Sequence, residues 1–190
     1  MCQAVDHREA LNIQIKETYG KLVYTYTAHL KQAERLSTWN KRFKCAQIIL
    51  SAASAGGFIG TVISNQAIAT WIGGICATIL LGINLYFKDF NLVQEISQHH
   101  KAADRLWPVR ERYISLLTDF SVLNEDMIMQ KRDELQRETC VIYEQSPKTD
   151  AKSYAAAQEA LKNNEEQFFR LDEIDRMLPS HLRVNDAADK

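Results

Sequence analysis

The sequence predicts an all-α membrane protein: a two-span transmembrane helical hairpin with long cytoplasmic helical extensions, assembled as a homo-oligomer. Three observations lead there. No charged residue lies among the 43 positions between Lys44 and Lys88. Those positions divide into two apolar stretches, 45–64 and 67–87, joined by the polar step Ser64-Asn65-Gln66. The flanks on both sides repeat apolar residues every three or four positions and show no strand-like alternation. A helix needs about 20 apolar residues to cross roughly 30 Å of hydrocarbon, and each stretch has that length. A helix also satisfies its own backbone polar groups in lipid, so the chain is expected to enter the membrane and return.

Residues 1–44 read as cytoplasmic N-terminal helices. Asp6-x-x-Glu9 has the form of a capping box opening a first helix through about Thr18, with Tyr19-Gly20 as an interruption. From Lys21 the spacing of Leu22, Tyr26, Leu30, Ala33 and Leu36 places them on one helix face. No proline or turn cluster separates Lys21 from Ser64, so this helix is expected to run into the membrane unbroken. No short apolar core followed by a small-residue cleavage site precedes Lys44, so no signal peptide is expected.

After Phe87 the helical stripe resumes with Leu92 or Val93, Ile96, His100, Ala103 and Trp107, and continues through Tyr113, Leu117 and Phe120. Residues 88–145 are therefore expected to form one long cytoplasmic helix, kinked near Pro108 because proline lacks an N–H and clashes with the preceding turn. Ser146-Pro147 breaks it. Asp150 caps a last helix, 150–178, which Pro179 ends. Residues 179–190 read as a flexible tail.

Charge sets the orientation. Lys21 to Lys44 carries six Lys/Arg against one acid, Glu34, whereas the turn between the spans carries none. An excess of Lys/Arg marks the cytoplasmic side, so both termini are expected in the cytoplasm of a multi-pass inner-membrane protein. Asp119 to Lys190 holds 16 acids against 10 bases, so the negative charge lies far along the chain from the membrane.

The spans sort into faces at 100° per residue. Gln47, Ser51, Ser54, Phe58, Thr61 and Asn65 fall along one line of the first span, and all but Phe58 are polar. Polar side chains in hydrocarbon need a partner or water. This stripe is therefore expected to line a central path in an oligomer of four or more subunits, with Phe58 as a hydrophobic constriction. Packing without a pore accounts for the same stripe, because Ser and Thr also bond to their own helix carbonyls. Gly56-x-x-x-Gly60 is a small-residue packing pattern. Gly73 and Gly74 lie on the face of the second span opposite the bulky Ile68, Ile72, Ile75, Ile79 and Ile83.

Enzymatic readings find no support. HExxH, GxGxxG, P-loop and GxSxG patterns are absent, and the four cysteines are scattered without metal-site spacing. No catalytic residue, metal or cofactor is expected. Glu95 with His99 is better read as an ordinary helix-face pair than as a metal site, and His99-His100 as exposed imidazoles rather than a pH sensor. Lys41, Arg42 and Lys44, with Lys101, Arg105, Arg110 and Arg112 on the returning helix, form a candidate anionic-ligand set in an oligomer. Anchoring to anionic lipid explains the first three equally well, and pairing with Asp104 and Glu111 explains the rest.

The segment TYTAHLKQAERL (25–36), the two spans with their minimal turn, and HHKAADRLWPVRERYISLLTDF (99–120) together resemble the SLATT family. The alanine pair of His100-Lys-Ala-Ala-Asp-Arg-Leu-Trp107, leading into Arg112-Tyr113, is similar to that family's post-membrane helix. The resemblance covers Thr25 to about Phe120 and leaves everything after Leu123 outside the shared core. It implies a gated, pore-forming membrane effector of a prokaryotic antiphage system that depolarises the inner membrane by passing ions. It also implies control by a nucleotide or oligonucleotide from a partner nucleotidyltransferase. The rival reading is a non-conducting membrane anchor whose cytoplasmic helices recruit soluble partners.

Overall fold

The computed structural model describes residues 6–64, 67–89, 91–179 and 183, and every regular element among them is helical. In chain order these are α1 (His7–Ser64), α2 (Ala67–Asp89), α3 (Leu92–Thr118), a 3-10 turn (Asp119–Ser121), α4 (Glu125–Gln145), α5 (Ala151–Lys162) and α6 (Leu171–Met177). The all-α expectation is met. Each of the two apolar segments is a helix long and apolar enough to cross a membrane.

α1 is 58 residues long, a rod of about 87 Å at 1.5 Å per residue. The expected interruption at Tyr19-Gly20 does not occur. A glycine costs a helix about 1 kcal/mol, but Ile15 and Leu22 on either side are fully buried and hold the turns together. Buried or half-buried residues of α1 recur every seven positions at Ile15, Leu22, His29, Leu36 and Phe43. α3 carries the matching series Leu92, His99, Leu106, Tyr113 and Phe120, the last in the 3-10 turn. Such a repeat keeps one seam facing a partner helix. The two series run antiparallel: the Phe43 and Phe87 rings stand 4.4 Å apart, His29 meets His99, and the Arg8 guanidinium lies over Phe120.

This seam differs by one position from the expected stripe. His99 and Leu106 are buried, while His100 is exposed and Trp107 is half exposed. Both buried and exposed alternatives are adjacent in sequence, and only the partner helix selects between them. α3 runs through Pro108 without ending.

The single helix expected over 88–145 is two helices. α3 ends at Thr118, and α4 starts behind Asn124, whose side chain accepts the Met127 N–H at 2.8 Å. Asn124 followed by Glu125 and Asp126 is an N-cap with acids in the first turn, a helix-start signal. Arg8 on α1 donates to the carbonyls of Phe120 (2.6 Å) and Leu123 (3.0 Å), satisfying acceptors that the helix end leaves open. The seven-residue series masked the break, because Leu106, Tyr113 and Phe120 are followed by Ile128, Leu135 and Ile142 with a shift of only one residue. All six are buried.

α4 lies parallel to α1 at a constant offset of 118 residues: His7 with Glu125, Arg132 with Gln14, Tyr143 with Thr25. α1, α3 and α4 thus enclose one core, formed by Leu11, Ile15, Leu22, Leu106, Val109, Tyr113, Leu116, Phe120, Ile128, Leu135 and Ile142.

The helix expected over 150–178 is also two. Asp150 caps α5 through the Ser153 N–H, as expected. α5 then stops at Lys162, where Asn163 and Asn164 both donate to the Glu159 carbonyl. Glu165 takes a left-handed φ of 50°. α6 is a separate short helix that stops two residues before Pro179. Of the expected tail, 180–182 and 184–190 lie outside the described residues.

Candidate functional site

The two apolar helices meet along a glycine seam. A Cβ on Gly57 would stand 2.7 Å from the Ala69 carbonyl oxygen and 3.0 Å from the Gly73 Cα, and one on Gly73 would stand 3.2 Å from the Ser54 carbonyl oxygen. Backbones this close exclude any side chain at Gly57. Gly60 lies nearby, its Cβ position 3.6 Å from Ala69 Cβ. Gly56 and Gly74 face open space. Of the four glycines read as packing residues, Gly60 and Gly73 therefore sit on this seam, and Gly56 and Gly74 do not. Gly57, which shares a face with Gly60 in the sequence, makes the tightest approach.

The polar stripe of the first span is divided. Gln47 donates its amide N–H to Asn84 Oδ1 at 2.9 Å, so its polar end is engaged by α2. Ser54 is half-buried at the seam, whereas Ser51 is exposed and Phe58 is 72% exposed. Thr61 belongs to α1 with its side chain undescribed, and Asn65 lies outside the described residues. The remaining outer surface is apolar, with Ile48, Ile49, Ile68, Trp71, Ile72 and Ile75 each more than half exposed. A soluble helix would bury such residues; here nothing among the described residues covers them.

The seven basic residues fall into two groups. Lys41, Arg42 and Lys44 are exposed on α1, just before the uncharged run. Lys101, Arg105, Arg110 and Arg112 lie on α3, along the bundle that α1, α3 and α4 form. Because His29 faces His99, Lys101 is separated from Arg42 by about 20 Å along the bundle axis at 1.5 Å per residue. Within one chain the two groups are not brought together. Three α3 cations already have partners: Arg105 donates to Gln145 Oε1 at 2.7 Å, Arg110 lies 3.6 Å from Glu111, and Arg112 pairs with Glu134 and Glu138 of α4.

Two features had no place in the sequence expectations, and a third involves Trp39, Phe43, Tyr86 and Phe87, which the sequence reads as interfacial aromatics at the inner end of the spans without foretelling their contact. The first is a buried histidine pair, His29 and His99, with Nδ1 atoms 2.9 Å apart. One ring donates and the other accepts, so the pair holds one proton between them. Burial pushes His29 down to about 4, assisted by His99. Burial lowers His99 as well, with Glu95 and Asp150 opposing and His100 and Arg35 assisting. The spacing of His29 with Ile15, Leu22 and Leu36 was a usable signal.

The second is the attachment of α5 to α1 beside the membrane end of the bundle. Gln32 is buried, and its Oε1 accepts from Ser153 Oγ and from Arg35. Arg35 also pairs with Asp150, Glu166 grips Lys31 through both oxygens at 2.9 and 2.8 Å, and Tyr154 stacks on Tyr24. No short-range sequence signal foretells contacts across more than 100 residues. The third is an aromatic row at the base of the apolar helices, Trp39–Phe43–Phe87–Tyr86, with successive ring centroids 5.6, 4.4 and 5.2 Å apart.

Among the described residues no group of three or more His, Cys, Asp or Glu is placed to hold a metal ion. Neither the curated proteins nor the solved structures yield a match to this chain. A family model described as "SMODS and SLOG-associating 2TM effector domain family 4" matches residues 11–173. The match extends well past Thr25–Phe120 and takes in α4, α5 and the start of α6, which corrects the expectation that everything after Leu123 lies outside the shared core. With two apolar helices of spanning length and a match over most of its residues, the chain belongs to family 4 of the SMODS and SLOG-associating 2TM effector domains.

Proposed function

We propose that the protein is a gated pore, the membrane-depolarising effector of an antiphage system controlled by a nucleotide or oligonucleotide from a partner nucleotidyltransferase. Family membership supports the coarser role, a membrane effector in a nucleotide-sensing defence system. The observation that carries the finer reading is α1: one unbroken helix belongs both to the cytoplasmic bundle and to the apolar pair. A ligand-driven shift in the bundle is thereby transmitted to the membrane without an intervening loop, the requirement for biasing a two-state element. In this reading both termini are cytoplasmic and the apolar helices form an inner-membrane hairpin. Four or more copies gather around the outward face carrying Ser51 and Phe58, with Phe58 narrowing the path.

The test is ion flux from liposomes containing the purified chain, with and without added cyclic and linear oligonucleotides. Flux that appears or disappears with ligand supports the channel. An assembled protein that never conducts, alone or with any of these ligands, defeats it. Expression of the chain alone gives the sign of control: lethality means the ligand restrains the pore, and harmless expression means it activates.

A second reading, a non-conducting anchor that recruits soluble partners, draws support from Phe168, Phe169 and Met177, each more than half exposed on the C-terminal segment. It predicts that an unrelated two-span hairpin can replace 45–87 without loss of function, a swap a channel does not survive.

A further inference from the structure

At the base of the apolar helices the aromatic row borders a cleft of about 330 Å³, lined by Trp39, Phe43, Phe87 and Leu92, with Arg35 and Lys152 at its polar end. It adjoins a second cavity of about 370 Å³ that shares Trp39, Arg35 and Lys152 and adds Arg42 and Lys31. The two together are amphipathic, one apolar and aromatic, the other cationic. Glu34 also borders the cationic part, but it stands 4.0 Å from Lys31, which Glu166 holds as well, and Arg35 is paired with Asp150. Arg42 and Lys152 have no ion pair among the described residues and supply the net positive charge.

Height decides the ligand. Phe43 stands one residue before Lys44, where the uncharged run begins, so the aromatic part is level with the top of the hydrocarbon and the cationic part with the headgroups. Aromatic rings favour that boundary, and Lys and Arg there attract anionic lipid. We propose that this double cleft binds one anionic phospholipid of the cytoplasmic leaflet, its phosphate between Arg42 and Lys152 and the upper part of an acyl chain against Trp39, Phe43 and Phe87. Lys152 comes from α5, so the bound lipid joins that cytoplasmic helix to the membrane end of α1. The inference rests on the membrane-spanning reading.

Tryptophan quenching by brominated lipid tests it on the full chain in liposomes. W71F/W107F keeps Trp39 as the only reporter, and W39F/W107F keeps Trp71, on the outward face of α2. Trp39 is expected to be quenched more strongly by brominated phosphatidylglycerol than by brominated phosphatidylcholine at equal mole fraction. K152Q in the Trp39 background lowers that preference about fivefold, the factor one cation contributes near an anionic surface, while K152R keeps it. K44Q, which removes a charge at the same height but outside the cleft, also keeps it. Equal quenching by the two lipids, or equal losses in K152Q and K44Q, overturns the site in favour of diffuse attraction. Relief of Trp39 quenching by millimolar inorganic phosphate or glycerol 3-phosphate overturns the lipid assignment in favour of a soluble phosphate. Trp71 quenched by both lipids while Trp39 shows no preference rejects the cleft alone; Trp71 quenched by neither rejects the membrane-spanning reading with it.

Discussion

His29 Nδ1 and His99 Nδ1 lie 2.9 Å apart in the seam between α1 and α3, with His29 3% exposed and His99 fully buried. Both occupy seven-residue core positions filled elsewhere by Ile, Leu, Tyr and Phe. A polar pair at such a position ties the two helices to one register, because any slip leaves two imidazoles buried without each other.

The pair makes stability depend on pH. His29 is held at about 4, against 6.5 for the free side chain. The unfolded chain therefore binds more protons between these values, and stability falls as pH drops from 6.5 to about 4, with His29 contributing on the order of 3 kcal/mol. Above 6.5 the contribution is complete. Thermal melts of the detergent-solubilised protein at pH 4.5 and 7.5 read the difference. H29L/H99L, which replaces both partners by apolar groups, is expected to flatten this part of the profile.

Gly57 and Gly56 are adjacent but answer to different contacts. G57A places a Cβ 2.7 Å from the Ala69 carbonyl oxygen, forcing α1 and α2 apart at a cost of about 1–3 kcal/mol, measurable as a lowered melting temperature of the single chain. A Cβ on Gly56 meets nothing within 4 Å among the described residues, so G56L is expected to leave the contact between α1 and α2 intact. An unchanged melt with a loss of assembly, read by cross-linking in liposomes, assigns Gly56 to contact between copies.

Gln32 holds α5 in place. Q32L leaves the buried Ser153 hydroxyl without its acceptor and is expected to cost about 1–3 kcal/mol locally. Amide hydrogen exchange within 151–162 then speeds up while exchange in α3 stays unchanged. Uniform acceleration across the bundle shows instead that α5 does not open independently.

Phe58 and Gln47 separate lining from packing. In a background lacking all four native cysteines, F58C is expected to react with a water-soluble thiol reagent when the pore is open, and F58A to raise resting flux. Q47L removes the bond to Asn84, a loss of about 0.6 kcal/mol by the usual strength of such bonds in membranes, and is expected to leave conductance unchanged. Unchanged flux in F58A removes Phe58 from the gate.

Most of the helical content is legible in the order of the residues. Forty-three uncharged positions define two apolar helices whatever surrounds them, since the rule concerns length and solvent rather than partners. The Asp150 cap and the breaks near Pro147 and Pro179 are legible for the same local reason. The Asn124 cap is equally local, but the almost unbroken seven-residue series across the turn hides it. The one-position error that chose His100 and Trp107 over His99 and Leu106 arises because both alternatives repeat at seven and only α1 distinguishes them.

By itself the sequence determined the two apolar helices, the gathering of basic charge just before the first of them, and the absence of familiar catalytic motifs. Each follows from the chemistry of a short stretch of chain. Tertiary structure alone decided which glycines touch, that Gln47 turns to Asn84, that Arg112 of α3 is bound to α4, and that Lys152 joins the aromatic row. These depend on residues far apart in the chain being brought side by side, and no local spacing records which of several equivalent helix faces will meet.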